Sequence, residues 1–303
     1  MTKEGFVNLN GVKLHYLDWG GTGKPLVLLT GLGATSKYYG GLAPKLTKRF
    51  KVLGLTRRGH GQSDRPAEFN LDIFVEDIRH FLDAMGIERA ILVGHSMAGF
   101  EMPLFARRYP QRVEAIVYMD AIYPKMDSEP DFSDDPTNAL PSIEPTADDF
   151  ASLNAYFAYK RKARPDWARI WCKAIEDDLL ECVRIEADGR IQETSDDEYF
   201  GRIWQEVASQ YPEYEKVKCP MLAIFPIGHY HPSVPLNVSD EIQKAANKYW
   251  QERVLPFIQE TIKSFRQTAP KAHIVELDTP YHRIFLARED ETVGAIFDFL
   301  PTT

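Results

Sequence analysis

Two side chains in this 303-residue sequence have the types and the placement for nucleophilic acyl transfer, Ser96 and His282. A serine hydroxyl is a weak nucleophile until a base takes its proton, so a reactive serine needs an imidazole within reach. Ser96 stands in the run Ala90 to Gly99, which reads as an apolar strand entering a G-x-S-x-G turn, with helical spacing from Phe100 to Tyr109 beyond it. A serine on such a strand-to-helix turn projects its hydroxyl above the sheet, and the tightness of the turn demands glycines where a Cβ would clash. The helix beginning at residue 97 also brings free N–H groups and a positive dipole end to the reacting oxygen. Alone, the motif is an ordinary glycine-bearing loop; the strand before it and the helix after it carry the functional reading.

His282 is the candidate base. It follows the apolar run Ile274 to Leu277 and the loop Asp278-Thr279-Pro280-Tyr281, and it precedes a final helical stretch. A lone histidine is usually structural, and that reading suits the other seven better. His95 adjoins the serine, where strand geometry turns it away from the site; His60 lies in a glycine-rich loop; His15, His80 and His273 lie inside expected elements. His229 and His231 flank Tyr230 without a cysteine or carboxylate at regular spacing, so they read as pocket or loop residues rather than metal ligands.

The elements that must position these groups follow from hydrophobic spacing. Val7 and Leu9, then Val12, Leu14 and Tyr16, alternate with polar residues around Asn10-Gly11, the pattern of an antiparallel hairpin. Nearly continuous apolar runs at Leu26–Leu29, Val52–Leu55, Ile91–Val93 and Val113–Met119 predict parallel strands buried on both faces. A helical pattern through Ile73, Val75, Ile78, Leu82 and Met85 ends at Gly86, a C-cap residue. The rhythm changes over residues 124–215, which are rich in Asp, Pro, Tyr and Trp and hold helical spacing but no convincing buried strand. The spacing predicts a helical cap over 124–215 and one core built from 1–123 and 216–303. The β/α pattern resumes with Met221–Phe225, a long helix from about Ser239 to Thr268, the strand His273–Leu277 and a closing helix around Glu289–Leu300.

Composition narrows the function classes. A net charge of −8 with no cluster of Lys and Arg speaks against nucleic acid; the longest basic run, Lys160-Arg161-Lys162 with Arg164, sits among acidic stretches and reads as a solvated helix face. Three cysteines (Cys172, Cys182, Cys219) without CxxC spacing signal neither a disulfide framework nor a zinc site, which fits a reducing compartment. The first residues turn polar at once and no stretch of about 18 apolar residues occurs, so a cytoplasmic protein without membrane insertion is expected.

Gly94 to Gly99, the loop Thr56 to Asp64 and Tyr281-His282 together resemble the α/β-hydrolase superfamily over nearly the whole chain. The resemblance implies an eight-stranded, mostly parallel sheet flanked by helices with a cap inserted after strand six. It also implies an oxyanion hole formed by the N–H groups of Leu32 and Met97, although Thr30 stands where His is common in that family. Similar enzymes usually carry the triad acid after strand seven, but Pro226 to Pro232 holds no carboxylate. Asp120, directly after strand six, takes the role instead, as in certain dehalogenases; capping the turn after the strand is its structural alternative, and Asp240 and Asp278 are weaker candidates.

By this resemblance the expected reaction is hydrolysis of small to medium carboxylic esters, with no cofactor or metal and a small-molecule ester as partner. The same triad acting on a lactone, an amide, a C–C bond or in perhydrolysis is the first alternative. A slow-turnover receptor is the second, and a homodimer is an open assembly. Haloalkane dehalogenase and epoxide hydrolase chemistry is disfavoured, because those relatives place Asp where this chain has Ser96. Tyr123, Trp167 and Trp171 are the expected substrate contacts. Aromatic stripes are packing residues first, but the cap carries Phe150, Tyr156, Phe157 and Tyr159 besides, and some must face the cleft.

Overall fold

The computed structural model describes residues 2–125, 131–235 and 237–300; residues 126–130, inside the expected cap, lie outside them. The opening strands β1 (Lys3–Leu9) and β2 (Val12–Gly20) form the expected hairpin. Asn10 and Gly11 take φ of 53° and 88° at its turn, the left-handed pair that a tight hairpin requires. Strands β3 (Pro25–Leu29), β4 (Lys51–Leu55), β5 (Ala90–His95) and β6 (Val113–Met119) follow. After a short hairpin of β7 (Val183–Ile185) and β8 (Ile191–Glu193) come β9 (Met221–Pro226) and β10 (His273–Leu277). Eight strands make one sheet in the order β1-β2-β4-β3-β5-β6-β9-β10, antiparallel at β1–β2 and β2–β4 and parallel elsewhere. This is the α/β-hydrolase fold.

Alternation along the central strands divides the interior into two cores. Val27, Leu29, Leu53, Leu55, Leu92 and Ile116 face one side with the helices Leu71–Ala84, Ala98–Arg108 and Leu255–Thr268. Leu26, Leu28, Val52, Ile91, Val93 and Val117 face the other with Leu42–Leu46 and Glu289–Phe299. Adjacent residues of a strand point to opposite faces, so a run such as Leu26–Leu29 must be apolar at every position. That is why these strands were legible as continuous runs.

Between β6 and β9 the chain passes through helices Leu153–Ala163, Pro165–Ala168, Lys173–Glu181 and Asp197–Ala208. The stretch also holds the short β7–β8 hairpin, which the helical spacing of the sequence did not signal. Its strands are three residues long, too short to show a period of two. The stretch feeds both cores, with Tyr156, Ile175 and Leu179 on one side and Tyr199, Ile203 and Val207 on the other. The long helix after β9 runs from Asp240 to Thr268 with a π-helical turn at Trp250–Val254.

Candidate active site

Strand register brings the site together. Leu29 pairs with Gly94 and His95 with Met119, so the residues that follow β3, β5 and β6 emerge side by side at the carboxyl edge of the sheet, where open α/β sheets bind ligands. Those residues are Thr30, Ser96 and Asp120. Both Ser96 (φ 51°) and Asp120 (φ 46°) sit in the left-handed region, a strained conformation for residues with a Cβ that persists only where the surroundings hold it. Asp120 is held from below, its N–H donating to the Ile224 carbonyl at 2.9 Å.

The turn departs from the expected motif. Two residues after Ser96 stands Ala98, and the glycine comes one later at Gly99. A Cβ at Gly99 would lie 1.9 Å from the Ala121 carbonyl oxygen, whereas the Ala98 methyl fits because Gly94 opposite has no side chain to meet it; a Cβ there would come within 2.5 Å. The glycine requirement is thus set by the chain after β6 pressing on the elbow helix.

His282 Nδ1 and Asp120 Oδ2 are 2.5 Å apart, which orients the ring with Nε2 as its free nitrogen. Ser96 and His282 border one cavity of about 70 Å³, along with Thr30, Gly31, Leu32, Tyr38, His95 and Arg283. The Ser96 hydroxyl is 3.5 Å from the Tyr123 hydroxyl, at the outer limit of a hydrogen bond. Among the described residues it has no bond to His282; such contacts are often long before substrate binds. Tyr123 is clamped there, stacked on Phe100 at 4.1 Å and held at its backbone N–H by the Tyr214 hydroxyl. Burial pushes its phenol pKa well above the ordinary value, so it remains a donor.

A Cβ on Gly31 would approach the Ser96 Cβ within 3.0 Å, so the backbone leading to Leu32 lies directly over Ser96. Among the described residues neither the Leu32 nor the Met97 N–H has another acceptor. Thr30 closes this loop by donating to the Ala34 carbonyl at 2.9 Å. Arg57 fastens it from behind, bonding the Thr30 carbonyl and pairing with Glu101 of the elbow helix at 2.5 Å. Arg57 and Glu101 are 3% and 1% exposed in their side chains, so neither charge is tolerable without the other.

Sequence reading assigned Arg57 no role, and it placed His95 away from the site. Instead the His95 ring lies 4.3 Å from that of His282, and its Nε2 bonds the His282 carbonyl at 3.0 Å. Complete burial, with His282 and Arg283 nearby, holds its pKa well below the usual histidine range. It is therefore neutral, donates through Nε2–H and ties down the loop that carries His282. No local signal reveals this; the contact spans 187 residues.

The remaining candidates divide. Tyr123 reaches the nucleophile, and Trp167 is one layer back, edge-on to Tyr38 with ring centroids 6.5 Å apart. Trp171 packs against Phe157, donates to Glu176 and does not border the cavity. Asp240 opens a helix and Asp278 is exposed, and neither is bonded to His282. His231 bonds Asp135 at 2.9 Å, joining the loop after β9 to the inserted stretch. A second cavity of about 230 Å³ lies against Asp120 and His282, bordered by Ile170, Trp250, Tyr281 and Arg283. A broad groove of about 590 Å³ near Arg58 and His80 contains no triad residue.

Residues 24–164 match the family model described as alpha/beta hydrolase fold. Mouse epoxide hydrolase 4 is 30% identical over 126 residues, 40% of this chain and 34% of that protein. The 2-heptyl-3-hydroxy-4-quinolone dioxygenase of Rhodococcus erythropolis is 35% identical over 129 residues, 41% of this chain and 47% of that protein. The chain thus spans between a third and a half of these relatives' length. Among solved structures, that of E-2-(acetamidomethylene)succinate hydrolase superposes with a TM-score of 0.71 at 20% identity, covering 99% of both chains.

Proposed function

Because this chain belongs to the α/β-hydrolase fold family, we propose that it is a serine hydrolase that cleaves small carboxylic esters through an acyl-enzyme on Ser96. The observation that carries this reading is the Asp120–His282 pair at 2.5 Å beside a nucleophile held at φ 51°. His282 Nε2 takes the Ser96 proton as the oxygen attacks the carbonyl, and Asp120 stabilises the imidazolium that forms. The Leu32 and Met97 N–H groups receive the oxyanion; a single such donor is typically worth about 3 kcal/mol of barrier. His282 then protonates the leaving alkoxide, and water attacks the acyl group by the same route in reverse. Tyr123 steadies the serine oxygen before attack and faces the substrate.

The stretch 124–215 serves as a lid over this site. Its helix Lys173–Glu181 is bonded to the loop that carries Leu32: Asp178 Oδ1 accepts from the Thr35 N–H at 2.6 Å and from the Thr35 hydroxyl at 2.8 Å. The cavity beside Ser96 is small, about 70 Å³, so short acyl groups are favoured.

The test is hydrolysis of p-nitrophenyl esters of rising chain length by the native protein and by Ser96→Ala, with fluorophosphonate labelling read by mass spectrometry. Activity that peaks at acetate to butyrate, with a label on Ser96 that vanishes in the variant, is expected. Label and turnover that survive Ser96→Ala would overturn the reading.

A further inference from the structure

Two buried donors without acceptors lie around one cation beside the cavity of Ser96. The Tyr38 hydroxyl and the Trp167 indole N–H are buried, 2% and 9% exposed as residues, with no hydrogen-bond partner among the described residues. Arg283 bridges them, its guanidinium 5.4 Å from the Tyr38 ring centroid and 4.8 Å from that of Trp167. Arg283 itself has no hydrogen-bonded acceptor among the described residues, only Asp166 at 3.5 Å. Asp166 is already drawn to Arg164 at 3.3 Å. A buried donor left unmatched costs about 1–3 kcal/mol; two such donors around one cation are economical only if an acceptor arrives with the ligand.

We propose that Arg283, Tyr38 and Trp167 form an anion subsite, and that the preferred substrate is a short dicarboxylate half-ester, whose free carboxylate binds there while its ester carbonyl is attacked by Ser96 and the alcohol leaves. The proposal rests on the ester-hydrolysis reading above. Tyr38 and Arg283 line the same cavity as Ser96 and Leu32, so an acyl group with its carbonyl at Ser96 extends toward them. A guanidinium presents paired N–H groups that match a carboxylate. The local charge agrees. Asp178 is fully buried, and desolvation pushes its carboxyl up to about 8, so at neutral pH it carries a proton. Arg164 and Arg283 then face Asp166 alone, leaving one positive charge over.

The experiment compares monomethyl succinate with methyl levulinate, a neutral ester of similar shape, by methanol release. The native protein should show kcat/KM at least tenfold higher for the anionic ester, about 1.4 kcal/mol of preference. In Arg283→Gln the ratio should fall to about one, with Arg283→Lys in between and Tyr38→Phe lowering it less. A native ratio of one or below overturns the proposal, whether or not any variant folds. Calorimetric titration of Ser96→Ala with succinate separates the subsite from the chemistry. Saturable binding that is lost in Ser96→Ala with Arg283→Gln supports the subsite even if no ester is cleaved. Ester turnover without succinate binding removes the subsite and leaves the hydrolase reading standing.

Discussion

In the proposed triad Asp120 has the orienting role, because its bond to Nδ1 leaves Nε2 of His282 as the nitrogen free to act as base. Asp120→Asn keeps the volume but presents an amide, which favours the wrong tautomer; kcat should fall roughly 10³- to 10⁴-fold with the far-ultraviolet circular dichroism unchanged. Near-normal turnover would transfer the role to another carboxylate. His95 acts through the backbone of the residue it holds. His95→Ala should lower kcat about tenfold through a misplaced base, with KM little changed and the position of the pH profile unmoved. A shifted profile would mean that His95 exchanges protons itself. The two histidines differ in environment as their roles require: His282 is 45% exposed in its side chain, whereas His95 is sealed beneath it and held neutral.

At the scale of elements, the elbow works because a helix and the chain after β6 are pressed together at Gly99. Gly99→Ala would drive a methyl into the Ala121 carbonyl oxygen 1.9 Å away, one residue from Asp120. Loss of about 2–4 kcal/mol in chemical denaturation is expected, together with weakened activity; a variant of native stability would show that the two segments separate easily. Much of this level was legible beforehand. Strands buried on both faces leave continuous apolar runs, the Asn10-Gly11 turn announces its hairpin, and His282 stands out by its place after the last strand. What escaped was contact across distance. The Arg57–Glu101 pair, the His95 bond to His282 and the unmatched donors around Arg283 join residues on different elements, and no local period records them. The elbow's glycine was misplaced by one position for a related reason, since its cause is Ala121, more than twenty residues away.

For the whole molecule, the joint between the inserted stretch and the core is sensitive to acidity. Asp178 holds its proton up to about pH 8 when folded but loses it near 3.8 when unfolded. Between those values the unfolded chain binds fewer protons, so this group makes stability fall as pH rises through that window. Asp178→Asn keeps an acceptor for Thr35 and removes the titration. Its denaturation midpoint should therefore vary less with pH than the native one between about 4 and 8, and it should exceed the native value most at the alkaline end. Parallel curves would place the Asp178 carboxyl in its ordinary range. Because Asp120 follows β6 and the loop after β9 supplies no carboxylate, the division of labour along the chain is uneven. The proposed nucleophile, acid and oxyanion donors, Ser96, Asp120, Leu32 and Met97, lie before residue 121, and the proposed base, His282, comes from the far end. A polypeptide severed within residues 131–152 would part Ser96, Asp120 and the loop of Leu32 from His282 and Arg283, and restored turnover on mixing would report their reassembly.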